Sequence, residues 1–418
     1  MAFSSSSYLI ANTAIKIFDF EEAYLHFQSY NSDLSESDLH NKLSTLIHLN
    51  LLPEAKLVAE EILEINDLNQ EAWIVYLTHA KIYNNLSAFE KYREKINNSE
   101  MALLNYIFFT QDGKIKDNGI IARSVFEIVK ASSSDDKSIS NYNLLLFYLS
   151  IANLLDGNFN EAYYYSAQIY QILQNYNKAQ TLYGKVQLDH NLYLDSQKNI
   201  AINKSKIDSF EMGETHLLEL INNNNNIELL AALADLYRIE KKYTEAIVYY
   251  SKIINSQNNF DQELWRVFYL RGICYERSSE WSLAETDFLY SLEIKPDSPQ
   301  VLNYLGYGWL ERDQNLDQAI QMLQKAYKAN PENYYIIDSL AWGYYKKNQF
   351  EKAAKLMEKV ISLAPGEAIS LDHLGDIYFS LKRKREAKYF WKQALDLAEP
   401  EDIIVDILKK KLDEHDAG

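Results

Sequence analysis

Glycine and proline are scarce in this chain, at 12 and 6 in 418 residues. Sheet-rich folds spend both residue types on tight turns, so a large all-β protein is excluded and helix is the default. Cysteine is nearly absent. Cys274 stands alone, which excludes an intrachain disulfide and fits a reducing compartment. A basic surplus is missing too: Lys and Arg total 42 against 59 Asp and Glu, for a net charge of −17. The acidity is spread evenly, with 17 basic against 25 acidic residues in 1–210 (net −8) and 25 against 34 in the rest (net −9). Affinity for nucleic acid or an anionic membrane rests on Lys and Arg, so no nucleic acid and no membrane surface is expected as a partner. Long apolar runs are lacking. The longest, Leu144 to Leu155, is broken by Ser150 and Asn153 and falls short of the ~20 residues of a membrane helix. Met1 to Phe18 has neither the basic stretch nor the continuous apolar core of a signal peptide. A soluble cytoplasmic chain is expected as written, or a periplasmic, outer-membrane-associated one if the true start lies upstream.

What is present is a repeat. Ala246, Ala284, Ala319, Ala353 and Ala387 recur at intervals of 38, 35, 34 and 34 in matching surroundings, such as Phe350-Glu-Lys-Ala353 and Lys384-Arg-Glu-Ala387. A small residue precedes each by about twelve positions: Ala234, Gly272, Gly306, Ala341 and Gly375. An aromatic precedes each by about nine: Tyr237, Tyr275, Trp309, Tyr344 and Tyr378. Bulky residues follow four later, at Tyr250, Phe288, Leu323, Met357 and Trp391, and Pro296, Pro331, Pro365 and Pro400 close units. Small residues let two helices approach, aromatics fill the gap to the next unit, and proline ends the pair.

This pattern resembles the tetratricopeptide repeat. The resemblance implies an all-α fold: a right-handed α-solenoid of about eleven to twelve helix pairs, since 418 residues hold that many units of roughly 34. Residues 227–400 read as five well-formed units. Residues 1–130 read as degenerate units, with Ala23, Ala55, Ala88, Ala122 and Ala162 continuing the spacing. Residues 131–226 read as an irregular helical middle, with Tyr163–Asp189 not repeat-like, in longer or offset helices, and a degenerate unit at Asn191–Ile221. Ser132–Asp136 and Asn222–Asn226 read as loops. Residues 401–418 read as a cap helix and tail, burying Ile403, Ile404, Ile407, Leu408 and Leu412 and leaving Lys409, Lys410 and Lys411 solvated.

The runs Trp265–Ile273, Val301–Tyr307, Ile337–Gly343 and Asp372–Asp376, with Ser7–Asn12 and Phe18–Ala23, resemble a full-length bacterial tetratricopeptide family of proteobacteria. Distant relatives include an outer-membrane lipoprotein that is the adaptor of a carboxyl-terminal processing protease. The resemblance implies a non-catalytic scaffold that binds a protein or peptide in its concave groove, or alternatively an envelope adaptor that delivers substrates to such a protease. This chain lacks the lipobox cysteine of that relative.

In such a solenoid the first helix of each pair lines the groove. Positions 2, 5, 9 and 12 of the units give Arg266, Tyr269, Asn303, Tyr307, Tyr335, Asp338, Trp342, Tyr345, Asp372 and Asp376 as the candidate partner-binding residues, with Ile273, Leu310, Ile369 and Gln300 on the same face and Asp235 and Arg238 in the preceding unit. Trp342 and Tyr307 are the expected anchors, since aromatics dominate interface energetics. The carboxylates favour a neutral or basic, apolar-rich ligand over the acidic tail of a chaperone. Self-association through an exposed edge is the other expected contact.

Catalytic signals are missing. There is no P-loop, no Gly-x-Ser-x-Gly and no His-Glu-x-x-His. Gly306-Tyr-Gly308 reads as helix packing, His373 as a solvated histidine on a polar face, and Cys274 as core. No catalytic residue, no metal and no cofactor is expected.

Overall fold

The computed structural model describes residues 2–29, 34–94, 102–132, 139–223, 226–256, 263–399 and 403–416. They hold twenty-four helices and one isolated β-bridge, Phe109 to Ile115. The fold is an all-α helical repeat. The chain divides into two compact units, residues 1–222 and 223–418, with the boundary in the asparagine run. Asn222 and Asn223 extend a helix there, while Asn226 caps the next one by accepting from the Glu228 N–H. The expected Ser132–Asp136 loop falls beyond Ser132, outside the described residues.

Thirteen helices have these bounds in the N-terminal part: α1 (Ala2–Lys16), α2 (Phe20–Gln28), α3 (Glu36–His48), α4 (Leu52–Ile65), α5 (Gln70–Ile82), α6 (Leu86–Arg93), α7 (Ala102–Phe108), α8 (Asn118–Ser132), α9 (Ile139–Leu155), α10 (Asn160–Ile172), α11 (Tyr176–Tyr183), α12 (Tyr193–Ile207) and α13 (Phe210–Asn223). Eleven follow: α14 (Ile227–Ile239), α15 (Tyr243–Ser256), α16 (Leu264–Arg277), α17 (Trp281–Ile294), α18 (Pro299–Glu311), α19 (Leu316–Ala329), α20 (Tyr334–Lys346), α21 (Phe350–Leu363), α22 (Ala368–Ser380), α23 (Lys384–Leu397) and α24 (Ile403–Asp416).

In α14 to α23 the repeat stands as pairs. The five register alanines from Ala246 to Ala387 are all fully buried. Each turn inside a pair has a left-handed residue at its centre, and none of these is glycine: Lys241, Ser279, Asp313, Asn348 and Lys382. This αL turn explains how so many reversals are made with so little glycine. The prolines expected to end pairs stand two residues past α17, α19 and α21. Their carbonyls are reused, because Lys325 and Lys359 donate to Pro296 O and Pro331 O at 3.1 and 2.7 Å. In α18, α20 and α22 the register aromatic of the first helix reaches back to the preceding pair. Trp309 Nε1 donates to Glu285 at 2.6 Å, Tyr344 accepts from Gln324 at 3.0 Å, and Tyr378 donates to Glu358 at 2.7 Å. Gly308 is packing, as expected: a Cβ there would lie 2.1 Å from the Trp281 ring.

The N-terminal unit departs from the expected register. Pairs α1/α2, α3/α4 and α5/α6 carry the same turn, with Phe18, Asn50 and Asn84 left-handed. Then α7 stands unpaired, and the alignment slips by one helix. Ala122 and Ala162, expected to match Ala23, Ala55 and Ala88 in second helices, lie in α8 and α10, the first helices of pairs α8/α9 and α10/α11. The stretch expected to be irregular is itself a repeat. α10 and α11 meet at left-handed Gln174, and Tyr176, Ala179 and Tyr183 reproduce the spacing of Phe350, Ala353 and Met357. Ala179 and Tyr183 are fully buried. Pair α12/α13 covers the degenerate unit expected at Asn191–Ile221. Eleven pairs with α7 and α24 thus account for the twenty-four helices.

The apolar run of α9 finds its reason here. A helix apolar on all sides is buried, and α9 packs against α3, α5, α8 and α10, burying Leu145 to Leu149, Ile151, Ala152 and Leu155. It covers the face of α3 and α5 that an open solenoid would leave as a groove. Lys178 of α11 reaches Glu21 of α2 at 3.3 Å across this fold-back. No helix among the described residues is long and apolar enough to cross a membrane.

Candidate partner-binding groove

The first helices of the C-terminal unit carry tyrosines on one face because their i, i+3 and i+4 positions fall in line. α16, α18, α20 and α22 thereby enclose a groove of about 540 Å³. Five of the ten sequence-predicted residues line it: Tyr269, Asn303, Tyr307, Tyr335 and Asp338. Gln300 and Ile369, expected on the same face, line it too. Its walls are aromatic. Tyr269 and Tyr304 meet edge to face at 5.4 Å, and Tyr334 and Tyr335 lie 4.0 Å apart. Tyr334 donates to Glu367 at 3.1 Å. Burial pushes the Tyr269 and Tyr307 hydroxyls well above the ordinary phenol range, so both stay neutral donors. Asn303 is among the lining residues, and its buried Oδ1 has no hydrogen-bond partner. Arg277 is the cation of a lining that also holds the carboxylates Asp338 and Glu367. Sequence reasoning missed Tyr304, Tyr334 and Glu367. Tyr304 and Tyr334 stand next to the chosen positions, so a wider helical face would have found them, while Glu367 is the N-cap before α22 and lies on no helical face.

The other five predicted residues lie elsewhere. Arg266 is exposed outside this lining. Trp342 is sandwiched between Tyr345 at 4.6 Å and His373 at 4.1 Å, both nearly parallel to it, and its Nε1 donates to Glu311 at 2.8 Å. Asp372 and Asp376 accept from Lys411 of α24 at 2.6 and 2.8 Å, and Trp391 Nε1 donates to Asp376 at 3.0 Å. Lys411, expected to be solvated, is therefore drawn in by two carboxylates, while Lys409 and Lys410 are exposed. Ile273 and Leu310 are core. Asp235 and Arg238 are tied to the Tyr250 hydroxyl, at 2.6 and 3.3 Å. In α24, Leu408 and Leu412 are buried as expected and Ile407 is exposed; the Ile403 side chain lies outside the described residues.

His373 corrects a second expectation, for it is buried rather than solvated. Its Nδ1 lies 2.9 Å from Asp338 Oδ2. Burial alone would lower its pKa, but Asp338 beside it, with Asp372 and Asp376, raises it above the ordinary histidine value. A raised folded-state pKa adds stability that is complete below the unfolded value of about 6.5 and is lost as pH rises through the folded value. Asp372 acts in the same sense at lower pH, since burial and Asp376 push it up against the pull of Lys411. The urea midpoint of the C-terminal unit, followed by tryptophan fluorescence, is therefore expected to fall as pH rises from about 6 to 8. Asp338→Asn should flatten that slope, and an unchanged slope would refute the assignment to His373. Cys274 is buried, and burial pushes its thiol up to about 12, which keeps it an unreactive thiol.

Comparison with known proteins converges on the same repeats. Residues 227–260, 310–372 and 368–400 match the tetratricopeptide repeat family. A TPR repeat-containing protein of Pseudomonas aeruginosa is 26% identical over 110 residues, which is 26% of this chain; the match spans 18% of that protein's length. Among solved structures, a chain of an APC/C hetero-tetramer aligns over 98% of this chain and 83% of its own at 15% identity, with a TM-score of 0.49. A tetratricopeptide repeat protein from Parabacteroides merdae aligns over 61% of this chain and 98% of its own at 16% identity, with a TM-score of 0.45. YrrB, described as a TPR protein with an unusual peptide-binding site, aligns over 46% of this chain and 97% of its own at 18% identity, with a TM-score of 0.36. Sequence register, helix pairing and family match agree: this chain carries tetratricopeptide repeats, the helical modules of protein-interaction scaffolds.

Proposed function

We propose that the protein is a non-catalytic scaffold whose C-terminal groove, from Tyr269 to Ile369, holds an extended peptide segment of a partner protein. The observation that carries this reading is the orphaned Oδ1 of Asn303, a residue of the groove lining. A buried acceptor left without a partner costs about 1–3 kcal/mol, and a peptide main-chain N–H is the group a tyrosine-walled groove would bring to it. Tyrosine gives large contact area at low entropic cost. Asp338 and Glu367 against Arg277 favour an apolar segment that is neutral or basic.

Peptides selected against the intact protein from a random display library test the reading. The expected binders are apolar with Lys or Arg and few acidic residues. Asn303→Ala is expected to weaken them about tenfold, the worth of one hydrogen bond to a buried group. Tyr335→Ala, at a ring 60% exposed in the free protein, should weaken them without loss of helicity. Selected peptides that bind both variants as well as the parent would overturn the assignment.

A further inference from the structure

A second site lies in the N-terminal unit, apart from the groove. Where α9, α10 and α11 fold back over the end of α3, they enclose a cavity of about 350 Å³. Each wall offers polar atoms to it. Within the apolar Leu144–Leu155 run of α9, Ser150 and Asn153 are the polar breaks, and both line this cavity. Asn153 Oδ1 is buried there without a partner, and so is His48 Nε2. The His48 ring is fixed. It stacks on Phe20 at 3.9 Å, and its Nδ1 lies 2.6 Å from Ser44 O, to which it donates. Nε2 is thus the bare lone pair of a neutral imidazole. Burial, with Lys178 nearby, lowers its pKa to about 4, so it remains an acceptor at neutral pH. The fourth wall is cationic, with Lys178 on α11 and Lys185 in the turn just past its end. Lys178 is held by exposed Glu21 at 3.3 Å, a screened surface pair of little net worth that an incoming anion can replace. Lys185 is exposed at the mouth, its Nζ 5.0 Å from the centre of the Tyr163 ring.

Two buried acceptors and two ammonium groups in one lining define a ligand by complement. We infer that this cavity binds a small phosphate or carboxylate anion that carries a hydroxyl or amine donor a few atoms away. The anion would face Lys178 and Lys185, and the donor would reach His48 Nε2 and Asn153 Oδ1. Leucine at position 153 would remove a buried, unpartnered amide oxygen from the interior. Asparagine there serves a ligand.

Calorimetric titration of the full chain tests this, with glycerol 3-phosphate and glycerate as probes. Saturable one-to-one binding of at least one is expected, at least tenfold tighter than inorganic phosphate or glycerol, which each supply only half the complement. Lys185→Gln, at an exposed position that cannot unfold the protein, is expected to weaken it about tenfold. Asn153→Leu should abolish binding while raising or keeping the melting temperature. No saturable binding of either probe, or binding unchanged in Lys185→Gln, would overturn the inference. So would a marked fall in the melting temperature of Asn153→Leu, because it would make Asn153 a structural residue.

Discussion

Replacing Arg271 with methionine is expected to lower the stability of the C-terminal unit by about 3–5 kcal/mol, the cost of stranding one member of a buried ion pair. Arg271 of α16 meets Asp287 of α17 through two parallel bonds of 2.8 Å, from Nε and Nη2, and its Nη1 donates to Ser251 of α15 at 2.9 Å. One guanidinium therefore ties three successive helices. The Asp287 side chain is only 3% exposed. Burial pushes its carboxyl up, and Arg271 pulls it back. Without Arg271 that carboxylate has neither water nor a cation. The double replacement Arg271→Met with Asp287→Leu should recover most of the loss, since an apolar pair of similar volume is commonly as stable as the ions it replaces. Urea unfolding followed by tryptophan fluorescence reads the result well, because all tryptophans except Trp73 lie beyond residue 222. A double variant no better than the single would mean that the pair contributes a specific geometry that apolar packing cannot replace.

Trp391→Ala is the second large effect, about 3–5 kcal/mol for a truncated core aromatic. Trp391 is 2% exposed. Its indole lies over Gly375, where a Cβ would come within 2.4 Å of the ring, so no side chain at 375 can collapse into the space left behind. The indole N–H also supplies a donor to Asp376, the residue that shares Lys411 with Asp372. Truncation thus opens a cavity and loosens the seat of α24 together. Amide exchange of α24 is expected to accelerate toward that of free peptide, while exchange in α16 to α19 changes little, as nearest-neighbour coupling in repeat proteins requires. Protection of α24 that survived the change would show that Leu408 and Leu412 hold the cap by themselves.

Much of this was legible from residue spacing, and particular residues show why. Ala246 to Ala387 and their attendant aromatics mark contacts between sequence neighbours, so each unit writes its own packing rule locally. The same locality made the site half legible. Tyr269, Asn303, Tyr307, Tyr335 and Asp338 share a face because helical geometry alone puts them there. Trp342, Asp372 and Asp376 obey the same periodicity. They are claimed by His373 and by Lys411, whose position is set by how the cap helix packs.

By itself, then, the sequence determined the all-α class, the pair as building block and the run of repeats from residue 227 onward, since those follow from periods of 3.6 and about 34 residues. The tertiary structure alone decided that α7 stands unpaired and shifts the register, and that α9 folds over α3 and α5. It also decided that His48, Asn153 and Lys178 meet around one cavity. Those contacts join residues about a hundred positions apart, and they depend on whether two whole surfaces fit, a property that no local pattern encodes.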